Sequence, residues 1–414
     1  MDTAAPIRTS PTHLSADPRL VVAKPFTPGG GERIRKILGR LACLSDGEVA
    51  AELEAALRRH RHRHRDITRI WQQQAEAVLT LFADRELSEE HRTLVGALFT
   101  QEVAYAAAAL TNPSAVPIGD PDEDGGQRFV MSVRAIGEGH VSSIGFREGY
   151  VDATGDVDLE VGSVWAETGR IVYGDGGRYR VEFGEIPLDE RLLAPATAAE
   201  AGGMEDARFV RFRDEAGERY LATYTAYDRS RAVSHLVETE DFTTFQISPL
   251  TGRVAKHKGI ALFPRPVCGQ YLALGRMDNE STFLCRSDNL HRWDDAGLLN
   301  TPTEAWELIQ GGNCGSPIET EGGWLVITHG VGAMRRYVLG AILLDLDDPG
   351  KVIGRLTRPL LEPTEAERDG YVPNIVYSCG GFTHNNTLVL PYGVADRGVR
   401  IASIDLDWLL GQIA

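Results

Sequence analysis

The sequence predicts a mainly β fold: a five-bladed β-propeller over residues 112–414, preceded by a tail and α-helical extension over residues 1–111. Three observations carry this. A stretch rich in Ala, Leu, Glu and Arg places apolar residues three and four apart up to about residue 111. From Asn112 onward the pattern changes to short alternating runs separated by glycine-rich turns. Within that second region a strand pair recurs five times.

In chain order, helices are read in "GERIRKILGRLACL", in the run from Asp46 to Leu87, and in "SEEHRTLVGALFTQEVAYAAAALTN". Ser45 and Ser88 stand where a helix N-cap is needed, Ser88 with Glu89 and Glu90 in the first turn. The segment "RRHRHRHRD" puts His60 and His64 one helical turn apart, but the flanking arginines repel a cation and no acidic third ligand is evident. It reads as a solvated basic face, with no metal.

The repeat consists of "RFVMSVRAI" from Arg128, "RYLATYTAYD" from Arg219, "QYLALGRMD" from Gln270, "GWLVITHGV" from Gly323 and "TLVLPYGVAD" from Thr387. Each is followed after a short turn by a second apolar strand. The later steps of 51, 53 and 64 residues match the length of a four-stranded propeller blade. The first step, 91 residues, carries an excursion through "DERLLAPATAAEAGG".

Composition narrows the function. With 43 basic and 59 acidic side chains the formal net charge is −16, which disfavours a nucleic-acid partner. The five cysteines are scattered without a CxxC pair, so neither a disulfide framework nor a structural zinc site is expected. No apolar run reaches the length of a membrane span, and the first residues lack a signal-peptide core. A cytoplasmic protein without membrane association is expected. Neither a GxxxxGK[ST] loop nor an HExxH helix occurs, and no cofactor is expected. The amphipathic helices are of the kind that pair with a second copy, so a homo-oligomer is a further expectation.

In a propeller the inner strands deliver their polar ends to an axial cavity. Glu205 and Asp206 in "GGMEDARFVRF" directly precede such a strand, with Arg208 two residues on. A second carboxylate beside Asp206 disfavours its ionisation while Arg208 favours it, so its protonation is tunable.

The combination "GGMEDARF…YLATYTAYD", "HKGIALFPRPV", "GNCGSPIETEGGWLVITHGV", "YVLGAILLDLDDPGKVIGR", "GYVPNIVYSCGG" and "YGVAD" resembles glycoside hydrolase family 130, the β-mannoside phosphorylases and β-mannosidases. The resemblance runs from about Phe129 to the C-terminus. It implies a five-bladed propeller acting on β-linked mannosides with inversion. The family's general acid, the aspartate of its EDPR-type motif, falls on Asp206, with Ala207 where the family often has proline. It implies an acid that protonates a sugar hydroxyl, which relays the proton to the bridging oxygen.

The family divides by nucleophile. Phosphorolysis needs several donors aimed at a dianion; Lys258 and His329 match family positions, and Arg134 and Arg208 join them. Hydrolysis needs a carboxylate that activates water opposite the acid. Glu238 and Glu280 stand where phosphorylase relatives carry neutral or basic residues, so the sequence favours an inverting β-mannosidase of the β-1,2 type. The alternative is a phosphorylase releasing mannose 1-phosphate, with inorganic phosphate as co-substrate beside the mannooligosaccharide. Asp228, Asp278, Asn279 and Asp396 end inner strands as hydroxyl ligands, Tyr224, Tyr227, Trp306 and Tyr337 offer stacking faces, and His140 sits between glycine and a strand.

Overall fold

The structure, a computed structural model, describes residues 6–82 and 87–413. Its contacts divide into two units, one comprising Pro18–Tyr105 with Ser163–Thr168, the other Ala106–Gly162, Gly169 onward and the N-terminal strand.

The first unit holds α1 (Gly31–Leu41), α2 (Asp46–His60), α3 (Ile67–Phe82) and α4 (Glu89–Leu98). Ser45 caps α2 in a capping box, donating its backbone N–H to Glu48 Oε2 at 2.8 Å, and Ser88 Oγ accepts from the His91 N–H at 3.3 Å. Ile34, Val49, Val78, Leu94 and Phe99 form the shared core. Residues 83–86 of the predicted helical stretch, and residues 1–5 of the predicted tail, lie outside the described residues.

Helix does not continue to residue 111. It stops at Leu98, and Thr100–Ala104 forms an antiparallel ladder with Val21–Pro25. Paired backbone groups and β-branched Thr100 and Val103 outweigh the helix propensity of the alanine run that follows. In this unit His60 Nδ1 and His64 Nε2 both face Glu102 Oε1, at 3.1 and 2.9 Å, and Arg63 adds a contact at 3.3 Å. The expected solvated histidine face is therefore partly buried, with Glu102 as its acidic partner. Among the described residues no group of three or more His, Cys, Asp and Glu could hold a metal ion.

The second unit is antiparallel β, organised as five strand triplets. They are β1 (Ala109–Pro117), β2 (Gln127–Ile136) and β3 (Ser142–Val151); β4 (Gly203–Asp214), β5 (Gly217–Tyr227) and β6 (Ala232–Thr239). Then come β7 (Ala261–Leu262), β8 (Tyr271–Gly275) and β9 (Thr282–Ser287); β10 (Gln310–Asn313), β11 (Gly323–Val331) and β12 (Tyr337–Leu344). The last is β13 (Val376–Tyr377), β14 (Thr387–Val394) and β15 (Gly398–Asp405). The five repeated sequence pairs are β2/β3, β5/β6, β8/β9, β11/β12 and β14/β15, each antiparallel.

Apolar clusters join each triplet to the next. Phe146 meets Phe209, Leu221 shares a core with Leu262, Leu274 with Val326, and Ile327 with Leu390. The fifth returns to the first, where Ala115 N–H donates to Gly380 O at 3.1 Å and Cys379 N–H to Pro113 O at 2.7 Å. Ile7–Thr9, near the chain's start, pairs with β15. The long first step of the repeat holds short strands, of which Tyr179–Glu182 pairs with Thr244–Pro249 at the outer side of β6. All five cysteines are free.

Candidate active site

One cavity of about 350 Å³ receives side chains from all five triplets. Asn112 and Arg134 come from the first triplet and Asp206 from the second; Lys258, Arg276 and Asn279 come from the third. Gln310, Arg335 and Tyr337 belong to the fourth, Ile375, Tyr377 and Asp396 to the fifth.

Two β-bulges build the acidic corner. Between Thr111↔Arg134 and Ser114↔Ser132 the pair Asn112–Pro113 opposes one residue, and between Glu205↔Thr225 and Arg208↔Thr223 so does Asp206–Ala207. Asn112 and Asp206 both adopt left-handed backbone, φ 48° and 56°, which re-aims their side chains. The two meet: Asn112 Nδ2 donates to Asp206 Oδ1 at 2.6 Å. Proline follows the bulged residue in the first case and alanine in the second, so the geometry does not depend on proline.

Arg134 spans the paired acids, with Nη2 2.7 Å from Glu205 Oε1 and Nη1 3.1 Å from Asp206 Oδ1. Burial by itself raises the Asp206 carboxyl, but Arg134, Arg208 and the Asn112 hydrogen bond outweigh it and hold it down at about 2. Glu205 goes the other way, raised by burial and by Asp206 against the pull of Arg134. Asp396, which accepts from Thr111 Oγ1 at 3.0 Å, is likewise raised, first by burial and then by the Asp206 charge. Asp206 is thus held ionised, while burial and its charge make Glu205 and Asp396 bind protons more readily than free carboxyls.

Arg276 lines the cavity from the third triplet. It is buried, its Nε has no hydrogen-bond partner, and among the described residues it makes no ion pair. Glycines make room for it: a Cβ at Gly259 would lie 2.5 Å from its Nε, and one at Gly312 2.7 Å from its Cδ. Beneath it His329 is fully buried, stacked on Tyr337 at 6.1 Å, with Nε2 3.3 Å from Arg276 Nη1. Burial, then Arg276 and Arg208, push the His329 pKa well below the usual histidine value. The ring is neutral and accepts from Arg276, so it supports a cation instead of serving as one.

Other expectations need correction. Arg208 does not line the cavity: its guanidinium donates to Cys314 O and Asp206 O, each at 2.7 Å, and to Tyr377 Oη at 3.2 Å, tying three triplets together. Glu238 sits on β6 opposite Leu221, which pairs with Val210, four residues beyond Asp206. Its partners there are Arg219 at 3.9 Å and His291 at 3.7 Å. Glu280 is exposed beside cavity-lining Asn279, with its carbonyl accepting from Gly311 N–H at 2.9 Å.

Asp228 and Asp278 close their own turns, accepting from Ser230 and Arg231, and from Glu280 and Ser281, respectively. Tyr227 donates to Arg229 O at 3.0 Å. Tyr224 is buried in a network with Glu200 and His235, and Trp306 is buried against Gly330 and Gly340. His140 Nδ1 lies 3.1 Å from Tyr371 Oη, outside the cavity lining. Arg134, Asp206, Lys258, Asn279, Tyr337 and Asp396 are brought together. Sequence reasoning missed Asn112, Arg276, Gln310, Arg335 and Tyr377; Arg276 stands two residues before the noted Asp278, and Tyr377 lies inside the quoted "GYVPNIVYSCGG".

Comparison with known proteins agrees. The glycoside hydrolase 130 family profile, described as beta-1,4-mannooligosaccharide phosphorylase, matches residues 185–413. A 1,2-beta-oligomannan phosphorylase of Thermoanaerobacter sp. is 33% identical over 230 residues, 53% of this chain and 74% of that protein. A beta-1,2-mannobiose phosphorylase of Listeria innocua is 33% identical over 237 residues, 55% of this chain and 64% of that protein. Among solved structures, the Listeria innocua enzyme in complex with beta-1,2-mannobiose shares the fold with TM-score 0.54 at 22% identity, over 75% of this chain and 92% of that one. A structure from work on glycoside hydrolases within this family of mannoside phosphorylases, which target beta-1,2 mannosidic linkages in Candida mannan, has TM-score 0.56 at 19% identity, over 73% and 86%. The chain belongs to glycoside hydrolase family 130, enzymes that act on β-mannosides.

Proposed function

We propose that the chain is a β-1,2-mannoside phosphorylase whose five strand triplets are the blades of a propeller. The single observation that carries this reading is the charge of the cavity. Lys258, Arg276 and Arg335 face it, and among the described residues none of them makes an ion pair. Arg276 is buried and Lys258 and Arg335 are exposed at the cavity; three cations gathered there without a paired carboxylate are suited to receive an anion. Hydrolysis needs a carboxylate base across from the acid, and Glu238 is engaged elsewhere. The curated relatives named phosphorylases support the same choice.

In this mechanism Arg276, steadied by neutral His329, holds inorganic phosphate with Lys258 and Arg335. A phosphate oxygen forms a bond to C1 of the mannosyl unit as the glycosidic C1–O bond breaks, with inversion. Asp206 supplies the proton through a sugar hydroxyl, and the leaving oxygen receives it. Asp206 is ionised in the free enzyme, held at about 2. A phosphate dianion adds negative charge to the cavity and raises the proton affinity of Asp206, which takes up from solvent the proton it then supplies. Asn112, Asn279, Gln310 and Asp396 bind hydroxyls, and Tyr337 and Tyr377 supply apolar faces.

The deciding experiment is β-1,2-mannobiose turnover with and without inorganic phosphate. Phosphate-dependent release of mannose 1-phosphate is expected. Release of two mannoses at a rate independent of phosphate would overturn the proposal and return the chain to the hydrolytic branch.

A further inference from the structure

The hydrogen bonds that hold Asp206 run back to an atom that cannot serve all its partners. Thr111 is buried, and its Oγ1 lies 3.0 Å from Asn112 Oδ1 and 3.0 Å from Asp396 Oδ1. Both oxygens are acceptors when Asp396 is ionised, yet a hydroxyl has one hydrogen to give. Asn112 cannot relieve the conflict by turning its amide over. Its Nδ2 donates to Asp206 Oδ1 at 2.6 Å, and a flip would set oxygen against that carboxylate.

Two patterns follow. With Asp396 ionised, the Thr111 hydrogen points to it and Asn112 Oδ1 faces a lone pair. With Asp396 protonated, that carboxyl donates to Thr111 Oγ1 and the hydroxyl turns to Asn112 Oδ1, so every bond from Asp396 through Thr111 and Asn112 points toward Asp206. Hydrogen bonds aligned head to tail polarise one another, which tightens the hold of Asn112 on the Asp206 carboxylate and makes it a poorer base. We propose that Thr111 is a positioning residue, a one-hydrogen switch through which Asp396 sets the proton affinity of Asp206, so that Asp206 takes up its proton most readily while Asp396 is ionised. This rests on Asp206 as the acid but not on the choice between phosphate and water. Burial raises the Asp396 carboxyl and the Thr111 hydrogen bond opposes it. The other charged groups facing the two aspartates are Arg134, Arg208, Arg335 and Glu205. The arginines keep their charge at every pH of interest, and Glu205 pairs with Arg134.

The test uses Thr111→Val, which removes the hydroxyl and keeps the shape, and Thr111→Ser, which keeps the hydroxyl. Disappearance of β-1,2-mannobiose at saturating phosphate is followed from neutral into acid pH as the ratio of variant to native kcat/KM, in which the titrations of phosphate and Glu205 cancel. Without its donor Asp396 keeps its proton to higher pH, so the Val ratio should fall about tenfold further toward acid, a displacement of about one pH unit. The Ser variant should stay within about twofold of native throughout. Combined with Asp396→Asn, the Val substitution should give a ratio independent of pH. A flat Val ratio in the otherwise native chain overturns the inference, as does a slope that survives Asp396→Asn. Should the Val variant fail to fold, Asp396→Asn alone still decides: its ratio to native should climb toward acid, and a flat line overturns the switch. Melting temperature supplies a readout without substrate. The deficit of the Val variant should shrink as pH falls, because Asp396 is raised further in its folded state, and a constant deficit overturns the inference. If Asp206→Asn keeps the native rate, the acid assignment itself fails and the switch with it.

Discussion

The two ends of the strand triplets are made differently. At the end away from the cavity, the turns bend mainly at glycine: Gly125, Gly217, Gly269 and Gly323 have φ of 78°, 117°, 77° and 142°, with Cys268 beside Gly269 also left-handed and Asn385 closing the fifth. At the cavity end, every turn after the second strand carries a left-handed residue with a side chain. These are His140, Arg229, Asn279, the pair Met334–Arg335, and the pair Ala395–Asp396. Glycine serves where only the bend matters. Where a side chain must reach the cavity, as for Asn279, Arg335 and Asp396, the strain of about 1 kcal/mol or more per residue is accepted.

This contrast is open to attack. The largest effect should come from the bulge: Asp206→Asn should lower mannobiose turnover by about 10³-fold, and a variant with native rate would remove Asp206 from the chemistry. Next is the buried cation, where Arg276→Met should raise the phosphate KM by about 10²-fold, read from initial rates at varied phosphate. At the far end, Gly323→Ala should cost stability and spare catalysis. Its Cβ would lie 2.4 Å from Leu344 O at φ 142°, and a loss of about 2–3 kcal/mol is expected in denaturant titration, with turnover per folded molecule unchanged.

Asp396→Asn sharpens the electrostatic side. A carboxyl raised in the folded state binds protons more readily than in the unfolded chain, so it favours folding at low pH and opposes it once ionised. The variant should melt higher than native near pH 7, and the gain should vanish below the ordinary aspartate value of 3.8. A constant difference across pH would refute the assignment. The smallest effect is beside Arg335: Met334→Gly should be neutral or stabilising by about 0.5 kcal/mol, because relief of left-handed strain slightly exceeds the added unfolded-state entropy.

Much of this was legible in sequence, and for physical reasons. The second and third strands of each triplet are long and apolar, so their alternation announces them, and all five pairs are present. Short first strands such as Ala261–Leu262 and Val376–Tyr377 give too little periodicity to be seen. Asp206, which lines the cavity, stands out in sequence because two acids come before an apolar run. Arg276 was hidden because an arginine after an apolar strand does not say whether a carboxylate awaits it. Glu238 misled because position along a strand, not residue type, decides which end of a sheet a side chain serves; Leu221 opposite it lies six residues before Tyr227, where the strand reaches the cavity end. The alanine run after Leu98 misled because helix propensity is a local quantity, while the ladder with Val21–Pro25 is not.

The pairing of Ile7–Thr9 with β15 has a consequence for how the molecule is made. Ile7 and Ile404 are neighbours across the ladder, so the strand Ile7–Thr9 has no partner until β15 has emerged from the ribosome. Truncation through residue 105 intended to remove only the helices would also strip this strand and expose the unpaired edge of β15 to aggregation. A helix-free variant should keep residues 6–17 and rejoin them to the chain ahead of β1.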